Sequence, residues 1–305
     1  MALRREPGAP VDLIATHGYG GSAAAWSPLL AALGGQLRVP VEAQVWDLPG
    51  HGARRADSSG PHDIDTVTEE LRLRVTRSPR PPVLLGHSLG GYLSLRCVLT
   101  TDAPVRGIVL VSTGPGFRDP RARSAWNATM DRLTGALGLP AQTATIAHMT
   151  DALVLERLPE GRVPALVVRG AVDRPEYRAG GTVIAGRWPG AQLFEVPDAA
   201  HEPHRTHPVE VAAAVAHFLE QNLAGPGGRA PLARPSIWRR GVPRHARVGS
   251  TTTPVPMAEV WPCWFCARCS IVTAGRPCSS SPLAVTVPAM RRLSPTTLWC
   301  RIWVL

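Results

Sequence analysis

The sequence contains no lysine, and acidic residues are almost absent from its C-terminal part. All 33 basic residues among the 305 are arginine. Residues 1–224 contain 22 basic and 22 acidic residues, whereas residues 225–305 contain 11 arginines and a single acid, Glu259. The formal net charge of +10 therefore comes from the C-terminal part. The neutral remainder gives no electrostatic reason to expect nucleic acid as a partner.

Cysteine and long apolar runs are also scarce. Cys97 is the one cysteine before residue 225, so we expect no disulfide there, as is usual in a reducing compartment. No apolar run approaches the roughly 18 residues of a membrane span. Met1 to Pro10 contain arginines but no apolar core of a signal peptide. We therefore predict a cytoplasmic protein without membrane contact.

Strands and helices alternate along the first 222 residues. This alternation predicts the α/β class, with a doubly wound, mostly parallel sheet covered by helices. Between about residues 117 and 161, helical segments occur without a strand, which predicts a short helical cap inserted into the domain. Apolar runs predict strands at Val11–Thr16, Val41–Asp47, Pro82–Gly86, Val105–Val111, Ala165–Arg169 and Gln192–Val196.

The segment 225–305 follows neither the helical nor the strand period. Prolines, serines, arginines and isolated tryptophans alternate there, so we interpret it as an irregular tail, disordered or not native-like, after a domain at 1–224. The basic stretch Arg239 to Arg247 is an alternative nucleic-acid site, but we favour a solvated tail.

Three closely spaced cysteines in this tail resemble half of a zinc or iron–sulfur site. Cys263, Cys266 and Cys269 form a compressed triplet, to which Cys278 could add a fourth thiolate. Structural metal sites usually consist of two spaced pairs, so we predict no metal and treat binding by the triplet as the alternative.

A glycine-flanked serine stands between a predicted strand and a predicted helix. The motif is Gly86-His87-Ser88-Leu89-Gly90-Gly91. A sharp strand-to-helix turn requires small flanking residues and exposes the serine hydroxyl at the carboxyl edge of the sheet. We therefore predict Ser88 as a nucleophile.

Such a serine needs a base and an acid that orients the base. His201 follows the last predicted strand through a short loop, and Asp173 follows the strand before it. The order serine, aspartate, histidine along the chain is typical of serine nucleophiles that stand on such a sheet. His204 and His207 remain rival bases. The rival acids, Asp198 and Glu202, flank His201 in its own loop and are poorly placed to reach its ring.

The negative oxygen formed during attack needs two backbone donors. The loop His17-Gly18-Tyr19-Gly20-Gly21 follows the first strand and can approach Ser88 because of its glycines. We predict the N–H groups of Tyr19 and Leu89 as the oxyanion hole. No metal or organic cofactor is needed for this chemistry.

Together these motifs resemble the α/β-hydrolase family over residues of about 10 to 222. The resemblance implies a serine hydrolase of the esterase and carbon–carbon hydrolase group. Two further strands usually precede the His-Gly loop in that family, so we expect the first edge of this sheet to be incomplete and prone to pairing or aggregation. The quoted motifs are His17-Gly18-Tyr19, Asp47-Leu48-Pro49-Gly50-His51-Gly52, Gly86 to Gly91, Gly170-Ala171-Val172-Asp173 and Ala200-His201.

We predict hydrolysis of an ester-like bond in a small, largely apolar molecule. A carbon–carbon hydrolase or an acyltransferase would use the same three residues, and a non-catalytic binding module is the alternative from another class. The predicted pocket residues, for each of which a core role is an equal alternative, are Trp26, Phe117, Trp126, Met130 and Met149. The sequence predicts no oligomeric state.

Overall fold

The computed structural model describes residues 10–37, 39–57 and 62–223, and the backbone of Trp238–Arg240. These residues belong to one compact unit, Met1–Arg247. The second unit, Val248–Leu305, lies outside the described residues, as do the tail cysteines and most of the arginine-rich stretch.

The described strands form one sheet. Their order is β2-β1-β3-β4-β5-β6-β7; every pair is parallel except β6 with β7, which is antiparallel. The predicted doubly wound, mostly parallel sheet is therefore confirmed. The strands are β1 Val11–Thr16, β2 Val41–Trp46, β3 Val83–His87, β4 Gly107–Val111, β5 Ala165–Gly170, β6 Gln192–Val196 and β7 Trp238–Arg240.

Helices connect the parallel strands. Asp63 caps the second helix by accepting a hydrogen bond from the Thr66 N–H at 2.8 Å. The α-helices are α1 Ser27–Gly34, α2 Ile64–Arg77, α3 Leu89–Thr100, α4 Pro120–Ala136, α5 Leu153–Arg157, α6 Pro175–Arg187, α7 Pro203–Thr206 and α8 Pro208–Leu223.

The central strands are buried and the strand at one edge is exposed. Every residue of β1, β3 and β4 is buried, which explains their continuous apolar runs. In contrast, β2 pairs only with β1 among the described strands, and its residues Glu42 to Val45 are exposed. Val45 is 40% exposed. Within the described residues, the sheet therefore has an open edge at β2, next to the first strand β1.

A helical cap follows β4, as predicted. It consists of α4, a 3-10 segment Ala141–Ala147, α5 and a second 3-10 turn. Asp119 begins α4 by accepting from the Arg121 N–H at 2.9 Å, and Pro120 occupies the first helical position. Arg96 of α3 joins the cap to the sheet domain because it contacts Asp151 at 3.2 Å.

The strand β7 lies inside the segment 225–305, which we expected to contain no strand. Its three residues pair backbone to backbone with β6, Trp238 opposite Phe194 and Arg240 opposite Gln192. A strand this short gives no visible alternation of polar and apolar residues, so the sequence could not reveal it. Within the described residues, no helix has the length and apolar character required to span a membrane.

Candidate active site

Ser88 occupies a strained turn between β3 and α3. Its φ of 50° and ψ of −111° lie in a region that residues other than glycine rarely adopt. A Cβ atom on Gly86 would lie 2.5 Å from the backbone of Gly91, and one on Gly90 would clash with the Thr16 carbonyl. The two glycines therefore permit the turn, and Ser88 remains half-buried at the carboxyl edge of the sheet.

The glycine-rich loop after β1 lies directly beside this turn. A Cβ atom on Gly18 would stand 3.2 Å from the Cβ atom of Ser88. The Tyr19 side chain points to the cap, where its hydroxyl bonds the Thr134 hydroxyl of α4. Burial raises the pKa of Tyr19 to about 12, so its phenol stays protonated. The loop is thus fixed between the serine turn and the cap.

Two buried histidines hold this loop; we call His17 and His51 the loop cluster. His51 Nε2 accepts from the Gly20 N–H at 2.9 Å, and its Nδ1 donates to the Pro49 carbonyl at 2.9 Å. His17 Nε2 accepts from the Leu48 N–H at 3.0 Å, and its Nδ1 donates to its neighbour's carbonyl at 2.7 Å. Both rings use both nitrogens, which fixes a neutral tautomer in each.

Burial keeps the loop cluster neutral. It lowers the pKa of His51 to about 4, with the nearby His17 ring as the next cause. Burial likewise lowers the pKa of His17, and the carbonyl of Gly18 opposes that shift. Since each Nε2 must accept a hydrogen bond, a proton there would break the contact that holds the loop.

Asp173 and His201 meet beyond the ends of β5 and β6. His201 Nδ1 lies 2.9 Å from Asp173 Oδ2, and the other carboxylate oxygen accepts from the Arg174 N–H at 2.7 Å. The Asp173 side chain is 2% exposed and that of His201 is 19% exposed. A carboxylate only accepts, so Nδ1 carries the proton and Nε2 is left as the basic nitrogen.

His201 also contacts the serine turn through its backbone. Its carbonyl oxygen lies 3.0 Å from Nε2 of His87, the residue before Ser88. Between the Ser88 hydroxyl and the His201 ring themselves, the described part of the chain shows no hydrogen bond. The structure therefore brings Asp173 and His201 into direct contact and places His201 next to the turn that carries Ser88.

A second group of imidazoles surrounds this contact; we call His87, His201 and His204 the elbow cluster. The ring centroids of His87 and His201 are 5.0 Å apart, and those of His87 and His204 are 4.5 Å apart. The far side of His204 packs on Trp26 at 4.6 Å. Ring packing, rather than hydrogen bonding between side chains, holds the rings of this cluster to one another.

The rival bases and acids have other surroundings. His204 is fully buried, and within the described residues neither of its ring nitrogens has a hydrogen-bond partner. His207 Nδ1 bonds the Thr206 hydroxyl at 2.8 Å. Glu202 pairs with Arg205 at 2.8 Å. Asp198 adopts a left-handed backbone conformation, with a φ of 57°. Of the two rival acids and Asp173, only Asp173 bonds the His201 ring.

Four of the predicted pocket residues belong to the cap. The rings of Phe117 and Trp126 pack with centroids 5.7 Å apart. Met130 and Met149 are buried, at 4% and 8% exposure. Trp26 lies in the hydrophobic core with 0% exposure, which is its alternative role.

Sequence reasoning missed two residues that contact His201. In the sequence, His87 is visible only as part of the serine motif. Tyr177 packs on His201 with ring centroids 4.2 Å apart. It stands in the first turn of α6, four residues after Asp173, and this placement at the same sheet edge was an available signal. In the described residues, no group of three histidine, cysteine or acidic side chains is arranged to hold a metal ion.

Comparisons with known proteins agree with this architecture. A family model described as "Alpha/beta hydrolase family" matches residues 13–214. A pimeloyl-[acyl-carrier protein] methyl ester esterase of Chromobacterium violaceum is 28% identical, with 68% of this chain and 94% of that protein covered. The Yersinia enterocolitica protein of the same name is 24% identical, with 69% and 94% covered.

Solved structures show the same fold. MenH from S. aureus superimposes with a TM-score of 0.62 at 17% identity, covering 70% of this chain and 95% of that one. A bromoperoxidase from Bacillus anthracis gives a TM-score of 0.56 at 20% identity, covering 70% and 92%. Sheet order, serine turn and family match together lead to one conclusion: the chain belongs to the alpha/beta hydrolase family.

Proposed function

We propose that this protein is a serine hydrolase that cleaves an ester-like bond of a small, largely apolar molecule. The observation that carries the proposal is the 2.9 Å contact between Asp173 and His201 beside the strained turn of Ser88. Strain of this kind persists where the surrounding structure enforces it, and it is typical of functional sites. Membership of the family and the ester-hydrolysing relatives support the same reaction class.

The proposed reaction proceeds through an acyl-enzyme. His201 Nε2 takes the proton of the Ser88 hydroxyl while the oxygen attacks the substrate carbonyl. Asp173 orients the imidazole through Nδ1 and stabilises its charged form. The leaving group departs with the proton from His201. A water molecule, deprotonated by the same Nε2, then releases the acid and restores the serine.

The N–H groups of Tyr19 and Leu89 are proposed to stabilise the negative oxygen. Support comes from the position of Gly18, which is close to the Ser88 side chain, and from Leu89 as the first residue of α3. In the described part of the chain, neither N–H is used in another hydrogen bond. The positive end of the helix dipole adds to the same effect.

The relatives suggest a substrate for trial. Two of them are named for a methyl ester of pimeloyl-acyl-carrier protein, and methyl esters of short acyl chains are the class we propose for this chain. The Phe117 and Trp126 rings and the two buried methionines of the cap would contact the acyl chain.

A cytoplasmic location and the lack of nucleic-acid and membrane partners remain predictions.

Turnover of short p-nitrophenyl esters tests the proposal. We expect hydrolysis by the wild type and a fall of roughly 10⁴-fold or more in kcat for Ser88→Ala, because the variant has no nucleophile. A fluorophosphonate should add its mass to Ser88 in the wild type and not in the variant. Ser94→Ala is the matched control, since Ser94 is a buried serine of α3 whose hydroxyl bonds the Gly90 carbonyl.

Undiminished turnover in Ser88→Ala, or none in the wild type with any ester tried, would contradict the proposal. Fluorophosphonate labelling of Ser88 together with cleavage of a carbon–carbon bond, and with no ester turnover, would instead favour the alternative reaction on the same residues.

A further inference from the structure

His87 is a buried ring that bonds the backbone of the loop carrying His201. Its Nε2 atom lies 3.0 Å from the His201 carbonyl oxygen, and the residue is 6% exposed. A carbonyl oxygen only accepts, so Nε2 carries the proton and Nδ1 does not. Burial above all, and then the adjacent His204 and His201, lower the pKa of His87 well below its ordinary value. The ring is therefore neutral.

Another part of the same ring faces the loop that carries Tyr19. A Cβ atom on Gly18 would stand 2.5 Å from His87 Nδ1. The glycine thus allows the loop and the ring to approach each other. As a result, one side chain packs against both the loop of the proposed oxyanion donor and the loop of the proposed base.

Ring packing restricts rotation of His87. Its centroid lies 4.5 Å from that of His204, which in turn packs on Trp26 at 4.6 Å. The other side of the cluster is closed by Tyr177, 4.2 Å from His201. His87 therefore occupies the middle of a continuous series of five rings that runs from the core to the site.

We propose that His87 is a positioning residue that sets the distance between Ser88 and His201. The inference rests on the proposed serine hydrolase function. His87 adjoins Ser88 in the chain and holds His201 by its carbonyl, so one side chain governs where both reacting groups stand. A displacement of about 1 Å at such a site costs on the order of 100-fold in rate. A neutral ring here also places no like charge beside the imidazolium that forms on His201.

A pair of polar variants tests this role. The side-chain amide nitrogen of glutamine reaches the position of Nε2, whereas that of asparagine reaches only the position of Nδ1. We expect His87→Asn to lower kcat for p-nitrophenyl acetate about 30- to 100-fold with KM changed less than about 3-fold. His87→Gln keeps the donor and should stay within about 5-fold of the wild type.

Active-site titration with a fluorophosphonate separates positioning from folding. The extent of labelling measures the fraction of the protein that has an intact site. The rate of labelling measures how readily His201 activates Ser88. We expect full labelling of both variants and slower labelling of His87→Asn. Equal rates for the two variants overturn the proposal. So does a His87→Asn protein that labels to a reduced extent but keeps the wild-type kcat per labelled site.

The wild-type ring supplies a measurement that needs no variant. Long-range proton–nitrogen NMR spectra should show His87 as a neutral Nε2–H ring between about pH 5 and 8, since an unperturbed histidine titrates within that range. An Nδ1–H ring, or titration in that range, overturns the proposal even where His87→Asn does not fold.

The variants also separate the positioning role from the hydrolase function. If Ser88→Ala is inactive and His87→Asn matches the wild type, only the positioning role fails. An active Ser88→Ala removes the hydrolase function itself.

Discussion

The loop cluster and the elbow cluster are stabilised in different ways. In the loop cluster, His17 and His51 each bond the backbone through both ring nitrogens. In the elbow cluster the rings pack on one another, and His204 has no hydrogen-bond partner among the described residues.

The difference shows how the same residue type serves two tasks. Two bonded nitrogens fix both the tautomer and the orientation of a ring, so the loop cluster holds a backbone loop in place. A ring that is held by packing can keep one nitrogen free of hydrogen bonds. His201 needs its Nε2 free in this way, because Nε2 is the atom that accepts the proton. In His201, Asp173 supplies the one bond that orientation needs.

Removing that one bond should have the largest effect. We expect Asp173→Asn to lower kcat by roughly 10³- to 10⁴-fold, because the amide can present a donor to Nδ1 and favour the wrong tautomer of His201. Ester turnover and the rate of fluorophosphonate labelling measure the effect. Asp198→Asn, in the loop of His201 itself, is the control and should stay near the wild type. Comparable losses in the two variants would argue against the role of Asp173.

The free energy of unfolding, measured as the pH is lowered, tests whether the fold keeps the loop cluster neutral. The pKa of His51 is about 4 in the folded protein and about 6.5 when unfolded. As the pH falls from 6.5 to 4, the unfolded chain takes up a proton that the folded chain refuses. The free energy of unfolding should therefore decrease by roughly 3 kcal/mol over this window on account of His51 alone.

Urea unfolding of His51→Gln checks this linkage. The glutamine oxygen can accept from the Gly20 N–H and does not titrate, so the variant should lose about 3 kcal/mol less than the wild type between pH 6.5 and 4. An identical pH dependence in the two proteins would show that His51 is not held neutral by the fold.

Replacing His204 should have the smallest effect. His204→Phe removes two buried nitrogens that lack partners and keeps the ring, so we expect the free energy of unfolding to stay level or rise by about 1 kcal/mol. The matched variant His51→Phe deprives the Gly20 N–H of its acceptor and should lose roughly 1–3 kcal/mol. Equal losses in both would erase the distinction between the clusters.

The sequence predicted those parts of the molecule that depend on local pattern. Buried strands show as apolar runs, and the serine turn shows as small residues between a strand and a helix. His201 and Asp173 could be chosen because parallel strands end at one edge of a sheet. The alternation was therefore sufficient for a mostly parallel sheet, and the positions after its strands were sufficient for two side chains that meet there.

What the sequence did not predict depends on contacts between distant segments. The bond from His87 to the His201 carbonyl joins residues 114 positions apart. Trp26 carries no signal of the His204 ring that it contacts, and it proved to be a core residue. Such contacts arise from how helices and loops pack on the sheet, which periodicity does not encode.

The exposed strand β2 has a practical consequence for engineering. In the sheet order, β1, β3 and β4 separate it from β5 and β6, after which Asp173 and His201 follow. Its outer peptide groups have no neighbouring strand within the described residues, so an added peptide could extend the sheet there by backbone pairing. A tether or reporter grafted along β2 would then attach the enzyme to a support while its reactive edge stays open to substrate.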